Sequence, residues 1–159
     1  MISGAVSSKD YLDALRLHRR KAVKRQLLLL FALAAIGMVV AATGNLLIGI
    51  ILIGAGVGGF IGEFVLSNLT LPRRARKIYS QQAALRANYT YSWDKNGVSV
   101  SSENANARRP WSDYIKTLES EDLILLYHSD IMFEIFPKSW FANKEQVDEF
   151  RNLAAQVDT

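Results

Sequence analysis

The sequence contains no cysteine among its 159 residues. This absence excludes disulfide bonds, thiolate nucleophiles and cysteine-ligated zinc or iron–sulfur centres. Only two histidines are present, His18 and His128, and neither has a second ligand at a spacing typical of metal sites. The run His128-Ser129-Asp130 has catalytic residue types, but consecutive residues cannot converge as a triad. The sequence therefore predicts no metal, no cofactor and no enzymatic activity.

Charge is nearly absent from residues 27–66, where Glu63 is the one ionisable side chain. Eight of the ten glycines also fall in this block. A membrane-spanning helix needs about 20 apolar residues. The block therefore predicts a two-helix transmembrane hairpin over residues 27–71, with spans at 27–43 and 46–66 and a turn at Thr43-Gly44-Asn45.

Basic residues flank this block on both sides. Residues 1–26 carry seven Lys or Arg against two acids, and residues 72–87 carry five bases and no acid. Because Lys and Arg are retained on the cytoplasmic side, both termini are predicted to be cytoplasmic. The apolar run begins only after residue 26 and a second run follows at once, so we do not expect a cleaved signal peptide.

The two basic flanks are predicted to be helical, with residues 1–26 forming an amphipathic N-terminal helix and residues 72–87 a linker helix. Two interpretations of their charge stay open: ordinary topology anchors, or a lipid sensor that contacts anionic headgroups. The candidate lipid-contacting bases are Arg19, Arg20, Lys21, Arg73, Arg74 and Arg76.

Gly54, Gly58 and Gly62 repeat at four-residue spacing in the second span. Small residues at this spacing let another helix approach closely. The favoured interpretation is that this face packs the two helices of the hairpin together. The alternative is that it joins a second copy of the chain or the helix of a partner protein.

Glu63 is a functional candidate because ionisable residues are rare inside membrane spans. It lies roughly 25 Å along the second helix from Leu46, at 1.5 Å per residue. That depth favours a carboxylate that reaches water near the cytoplasmic headgroups. The alternative is a role in an ion or proton path built with other chains.

Residues 88–159 are acidic, with twelve acids against seven bases, so we expect no binding to nucleic acid. Period-two patterns predict five strands: one on each side of a hairpin turn at Asp94-Lys95-Asn96-Gly97, then 111–118, 123–127 and 131–136. Asn96-Gly97 is expected to supply the positive φ angles of that turn. Residues 101–109 are predicted to be a loop. A final helix is predicted to start at Asn143 and to bury Val147, Phe150, Ala154 and Val157. This pattern is typical of a small cytoplasmic antiparallel α+β domain.

Short motifs along the chain resemble the YcxB-like membrane proteins. They are Lys9-Asp10-Tyr11 with Ala14, Leu17 and His18, then Asn96-Gly97-Val98, Trp111-Ser112-Asp113-Tyr114-Ile115, and Phe136-Pro137-Lys138 with Phe141. The resemblance implies a bacterial inner-membrane protein whose cytoplasmic sheet resembles a pleckstrin-homology-like barrel closed by the C-terminal helix. A full barrel of that type has seven strands. The family brings no established activity, so no functional residues are carried over.

Three functional hypotheses follow from these features. The leading one is a non-enzymatic, membrane-anchored adaptor whose β-domain binds a protein partner. The second is a lipid-sensing module, and the third is an accessory subunit of a membrane transporter. Membrane lipid, a protein partner and a second copy of the chain are the expected binding partners.

Overall fold

The computed structural model describes residues 1–103 and 106–155. The chain divides into two units, one formed by Met1–Leu17 with Ala75–Thr159 and the other by His18–Arg74. Because both ends of the chain contribute to the first unit, the second is an insertion in its sequence. The helices are Ser8–Ala42 (α1), Leu46–Val65 (α2), Leu71–Gln81 (α3), Ala83–Arg86 (α4) and Lys144–Ala154 (α5).

The first unit contains two antiparallel sheets. One has the order β1-β2-β3-β4 and the other the order β5-β6-β7. The strands are Ile2–Gly4 (β1), Tyr89–Asp94 (β2), Gly97–Ser101 (β3), Asn106–Pro110 (β4), Lys116–Glu119 (β5), Leu123–Tyr127 (β6) and Phe133–Pro137 (β7). The predicted small antiparallel domain with a C-terminal helix is confirmed. The described residues hold seven strands, however, where five were predicted.

The first additional strand lies at the N-terminus, which was predicted to be helical from residue 1. β1 pairs with β2 through Ile2↔Tyr91, Ser3↔Thr90 and Gly4↔Tyr89. Ile2 is 3% exposed and belongs to the main core of the domain. The helix begins only at Ser8, where Asp10 accepts the Ser7 N–H at 2.9 Å and Ser7 Oγ accepts the Asp10 N–H at 3.1 Å.

The second additional strand, β4, begins inside the predicted loop 101–109 and ends one residue beyond it. Residues 104 and 105 of that loop lie outside the described chain. All five residues of β4 are exposed, so no apolar alternation marks them. The strand exists because its backbone pairs with β3, in the register Ser99↔Arg108. The predicted strand 111–118 is correspondingly shorter, since Trp111–Asp113 form a 3-10 turn before β5.

The turn between β2 and β3 lies at Asp94–Gly97 as predicted, but its backbone conformation differs. Its central residues are Lys95 and Asn96, and no residue of this turn has a positive φ. Instead, the Asp94 carboxylate accepts the backbone N–H groups of Asn96 at 2.7 Å and Gly97 at 3.2 Å. Gly97 is required for space, because a Cβ there would lie 2.1 Å from the carbonyl oxygen of Arg109.

The five residues of β6 are all buried, because both faces of the strand are covered. Ile124 and Leu126 join the core that includes Phe136 and Phe150. The alternate residues join a second cluster, formed by Leu123, Leu125, Tyr127 and Ile135 with Val6, Ala14 and Leu17. The first turns of α1 therefore cover a β-sheet.

The C-terminal helix begins as predicted. Asn143 Oδ1 accepts the Gln146 N–H at 2.9 Å, and Gln146 Oε1 accepts the Ala142 N–H at 2.9 Å. Val147, Phe150 and Ala154 are buried, and Val157 lies outside the described residues.

The second unit contains two long apolar helical segments. The first ends at Ala42, and Gly44, with φ of 98°, forms the turn before α2. The chain then stays helical from Leu46 to Gln81 through a π-helical turn at Leu66–Thr70, where Asn68 Nδ2 donates to the Phe64 carbonyl at 2.9 Å. By length and composition, both segments are able to cross a membrane.

We predict that Ile2→Ala destabilises the β-domain by about 2 kcal/mol, because a buried isoleucine is truncated at a strand end. Urea unfolding in detergent, followed by tryptophan fluorescence, measures this, since all three tryptophans lie in this domain. Ser3→Ala, on the opposite face of β1, is the matched control and is expected to be neutral. Equal unfolding midpoints for the Ile2 variant and the wild type would contradict the placement of β1.

A second prediction concerns Glu119, which joins β5 to α5. Hydrogen bonds from Arg151, at 2.7 and 2.8 Å, and from Lys138 lower the pKa of Glu119 from 4.5 to about 2, although burial opposes the shift. A carboxyl whose pKa is lowered by folding stabilises the folded state above its unfolded pKa and loses that effect as the pH falls. Glu119→Gln should therefore cost about 1 kcal/mol at pH 7, a modest value because the pair is partly exposed. Urea unfolding at several pH values should show this difference shrinking between pH 4.5 and 2, and a pH-independent difference would exclude the ion pair as its cause.

Candidate functional site

Glu63 is held in a buried polar cluster inside the second unit. Its side chain is 4% exposed and accepts hydrogen bonds from Arg19 at 3.3 and 3.4 Å. Ser67, one turn along the helix, donates to Glu63 Oε1 at 2.5 Å. Glu63 therefore binds a side chain of α1 and does not face water as expected, whereas its depth near the cytoplasmic headgroups stays a prediction.

This cluster neutralises the one acid of the apolar hairpin. Removing one partner of a buried ion pair costs several kcal/mol, because the remaining charge is left unpaired in a poor solvent. Arg19 is 27% exposed, which leaves part of the guanidinium able to reach water. The cluster is suited to hold α1 against α2.

The helices of the hairpin pack through glycines other than those predicted. A Cβ at Gly54, Gly58 or Gly62 would meet nothing within 4 Å. At Gly49 or Gly56, by contrast, it would lie 2.5 Å from Ala41 Cβ or 2.9 Å from Ala34 Cβ. The favoured interpretation of the four-residue repeat, close packing within the hairpin, is therefore wrong.

The residues that do face α1 follow a seven-residue repeat. Gly49, Gly56 and Glu63 are the buried residues of α2, and seven residues complete nearly two helical turns. Sequence inspection missed this repeat because the more familiar four-residue motif overlaps it. The face with Gly54 lies on another side of the helix and stays open in the described chain.

Of the six candidate lipid-contacting bases, only Arg19 meets another predicted site residue. Arg20, Lys21, Arg73, Arg74 and Arg76 are exposed, and none forms an ion pair with another residue that the structure describes. The exposed five remain available to solvent or to an anionic surface.

A second polar cluster, missed by the sequence analysis, lies in the β-domain around Glu134 of β7. His128 Nε2 lies 3.1 Å from Glu134 Oε1, and the Tyr114 hydroxyl donates to Oε2 at 3.3 Å. Burial and the nearby carboxylate raise the pKa of Tyr114 above its usual range. Asp130 pairs with Lys116. The one signal for Glu134 in the sequence is its place in β7, where it lies on the same face of the strand as the buried Phe136.

The outer face of the first sheet carries an open groove of about 540 Å³ beside β4. Its floor is rich in small polar side chains, namely Thr90, Ser92, Ser99, Ser101 and Asn106. Arg108 lines one side and is held by two hydrogen bonds to Asp94, at 2.9 and 2.7 Å. β4 is the last strand of its sheet, so its outer edge has no partner strand in the described chain.

Comparison with known protein families bears on this domain. Residues 93–154 match the YcxB-like protein family. The matched region runs from β2 to the end of α5, so the YcxB-like region covers most of both sheets but neither β1 nor the apolar hairpin. The motif around Lys9-Asp10-Tyr11 lies outside it. Searches of curated proteins and of solved structures found no match.

The described residues, 1–103 and 106–155, contain no candidate metal site. No group of three or more His, Asp or Glu side chains there is arranged to hold a metal ion.

We predict that Gly56→Leu disrupts the hairpin, whereas Gly58→Leu, two residues away on the same helix, is tolerated. The first side chain would overlap Ala34 and the Leu30 carbonyl, and overpacking of this kind costs about 1–3 kcal/mol. Thermal aggregation in detergent, monitored by size-exclusion chromatography, compares the two variants. Equal losses would refute the seven-residue packing face.

We also predict that Glu63→Gln and Arg19→Gln each lower the thermal stability of the hairpin. The double variant should be more stable than the sum of the two losses implies, because neither charge is then left unpaired. The same detergent assay gives the coupling. Strictly additive losses would show that the two side chains do not stabilise each other.

Proposed function

We propose that the chain is a non-enzymatic, membrane-anchored adaptor of the bacterial inner membrane, whose cytoplasmic β-domain binds a protein partner. The two apolar helical segments cross the bilayer in this proposal, and both termini are cytoplasmic. The basic flanks at residues 19–25 and 73–77 support that orientation.

An independent argument supports placing both termini on one side. Residues 1–17 and 75–159 belong to a single folded unit in which β1 pairs with β2. A folded domain cannot lie on both sides of a membrane. If α1 and α2 cross it, the chain must therefore return to the side from which it started.

The domain is proposed to be pleckstrin-homology-like. The order of its elements supports this assignment: a four-stranded sheet, then a three-stranded sheet, then a C-terminal helix. Such an arrangement leaves strand edges able to accept an added segment.

The observation that carries the adaptor proposal is the exposed edge of β4 beside the polar groove. An extended peptide adds to a sheet edge through backbone hydrogen bonds, while neighbouring pockets accept its alternate side chains. The serine and threonine floor of the groove suits polar side chains. We therefore propose an extended segment of a partner protein as the ligand, and no nucleic acid, because residues 88–159 carry five more acids than bases.

Lipid binding is a second candidate function, favoured by the exposed bases Arg20, Lys21, Arg73 and Arg74. The transporter hypothesis receives no such support, because its one membrane carboxylate, Glu63, is already bound by Arg19 and Ser67.

Site-specific photocrosslinking in native membranes tests the adaptor proposal. A benzophenone amino acid at Ala107, exposed on β4, is expected to capture a discrete protein partner. The matched control is the same amino acid at Asn152, exposed on α5. Identical crosslinking patterns from both positions, or none from either, would contradict binding at the β4 edge. Deleting residues 88–159 is a poorer test, because it would uncover Val6, Ala14 and Leu17.

A further inference from the structure

The hairpin carries a groove of about 540 Å³ that the adaptor proposal does not use. Its volume lies within the range of about 300–1,000 Å³ typical of small-molecule sites. Most of its lining is apolar, from Val23 and Leu27 of α1 with Phe60, Ile61 and Phe64 of α2. Two polar residues, Ser67 and Asn68, complete it.

The polar residues lie at one end of the groove, in the π-helical turn Leu66–Thr70. Single π-helical turns are rare and occur frequently at functional sites. Arg19 donates a hydrogen bond to Glu63, and Glu63 also accepts one from Ser67. The part of α1 around Arg19 therefore lies level with the polar end of the groove. The groove is therefore apolar along its length and polar at its end.

Two exposed bases of α1 precede the residues that line the groove. Arg20 and Lys24 are exposed and lie three residues before Val23 and Leu27, on the same side of α1 as the groove. Helical side chains also lean toward the N-terminus, which carries these bases away from the apolar lining. Residues 18–74 contain seven Lys or Arg and one acid, Glu63, which Arg19 neutralises.

We propose that this groove binds one anionic phospholipid. An acyl chain lies against Leu27, Phe60 and Phe64, and the phosphate lies near Arg20 and Lys24. A zwitterionic lipid would bring a cation to an end that already holds uncompensated positive charge, so the groove prefers a headgroup with net negative charge. The inference rests on the proposed membrane insertion but not on the adaptor partner.

Photolabelling of the full-length protein in nanodiscs tests this site. Two probes are compared, phosphatidylglycerol and phosphatidylcholine, each with a diazirine in its acyl chain and present as a minor component. Mass spectrometry maps the labelled residues. We expect phosphatidylglycerol to label residues 60–68 several-fold more than phosphatidylcholine does.

Matched variants separate the groove from general charge attraction. The double substitution Arg20→Gln with Lys24→Gln should abolish the several-fold preference, whereas Lys21→Gln with Arg25→Gln removes the same charge from another face of α1 and should retain it. Ile61→Trp should fill the groove and reduce labelling there, and Ile50→Trp, exposed elsewhere on α2, should not.

Equal labelling of residues 60–68 by both probes would overturn the site, as would equal effects of the two double substitutions. Labelling by both probes over the apolar faces of α1 and α2 would still support membrane insertion in that case. No labelling by either probe would contradict insertion itself and this inference with it. The adaptor partner is tested separately at Ala107.

Discussion

The pairing of β1 with β2 is the constraint on which the architecture depends. The chain leaves this sheet after Gly4 and must return to it at Tyr89 in the correct register. Ile2 completes the main core, and the first turns of α1 cover the other face of β6. The apolar hairpin is consequently an insertion in the sequence of a β-domain. The sequence alone suggests instead that the whole β-domain follows the hairpin.

Inside the hairpin, one face of α2 packs against α1, and the residues on its other faces stay exposed. The small residues Gly49 and Gly56 bring α2 close to α1, and the Glu63–Arg19 pair lies on the same face. The open four-residue glycine face and the exposed bases are therefore not used within the described hairpin. Arg19 is thus engaged within the hairpin, whereas its neighbour Arg20 is exposed.

The sequence predicted the elements whose residues carry their own signal. β6 is an unbroken apolar run, and Asn143 begins α5 through a local hydrogen bond. It could not predict β1, which has three residues and pairs with a strand more than 80 residues away. It also missed β4, because an exposed strand stabilised by backbone pairing shows no apolar period. The partner of Glu63 could not be predicted either, because Arg19 lies 44 residues earlier in the sequence.

The N-terminal strand completes the β-domain, although the hairpin separates it in sequence from the other strands. The absence of native cysteine allows a direct test in membranes with the pair Ser3→Cys and Thr90→Cys, whose residues face each other across β1 and β2. Paired positions satisfy the Cα separation of about 4.4–6.8 Å that a disulfide needs. The account predicts rapid disulfide formation by this pair and none by Ser3→Cys with Ser99→Cys, one strand further away. Failure of the first pair to crosslink, or equal crosslinking by both, would contradict it.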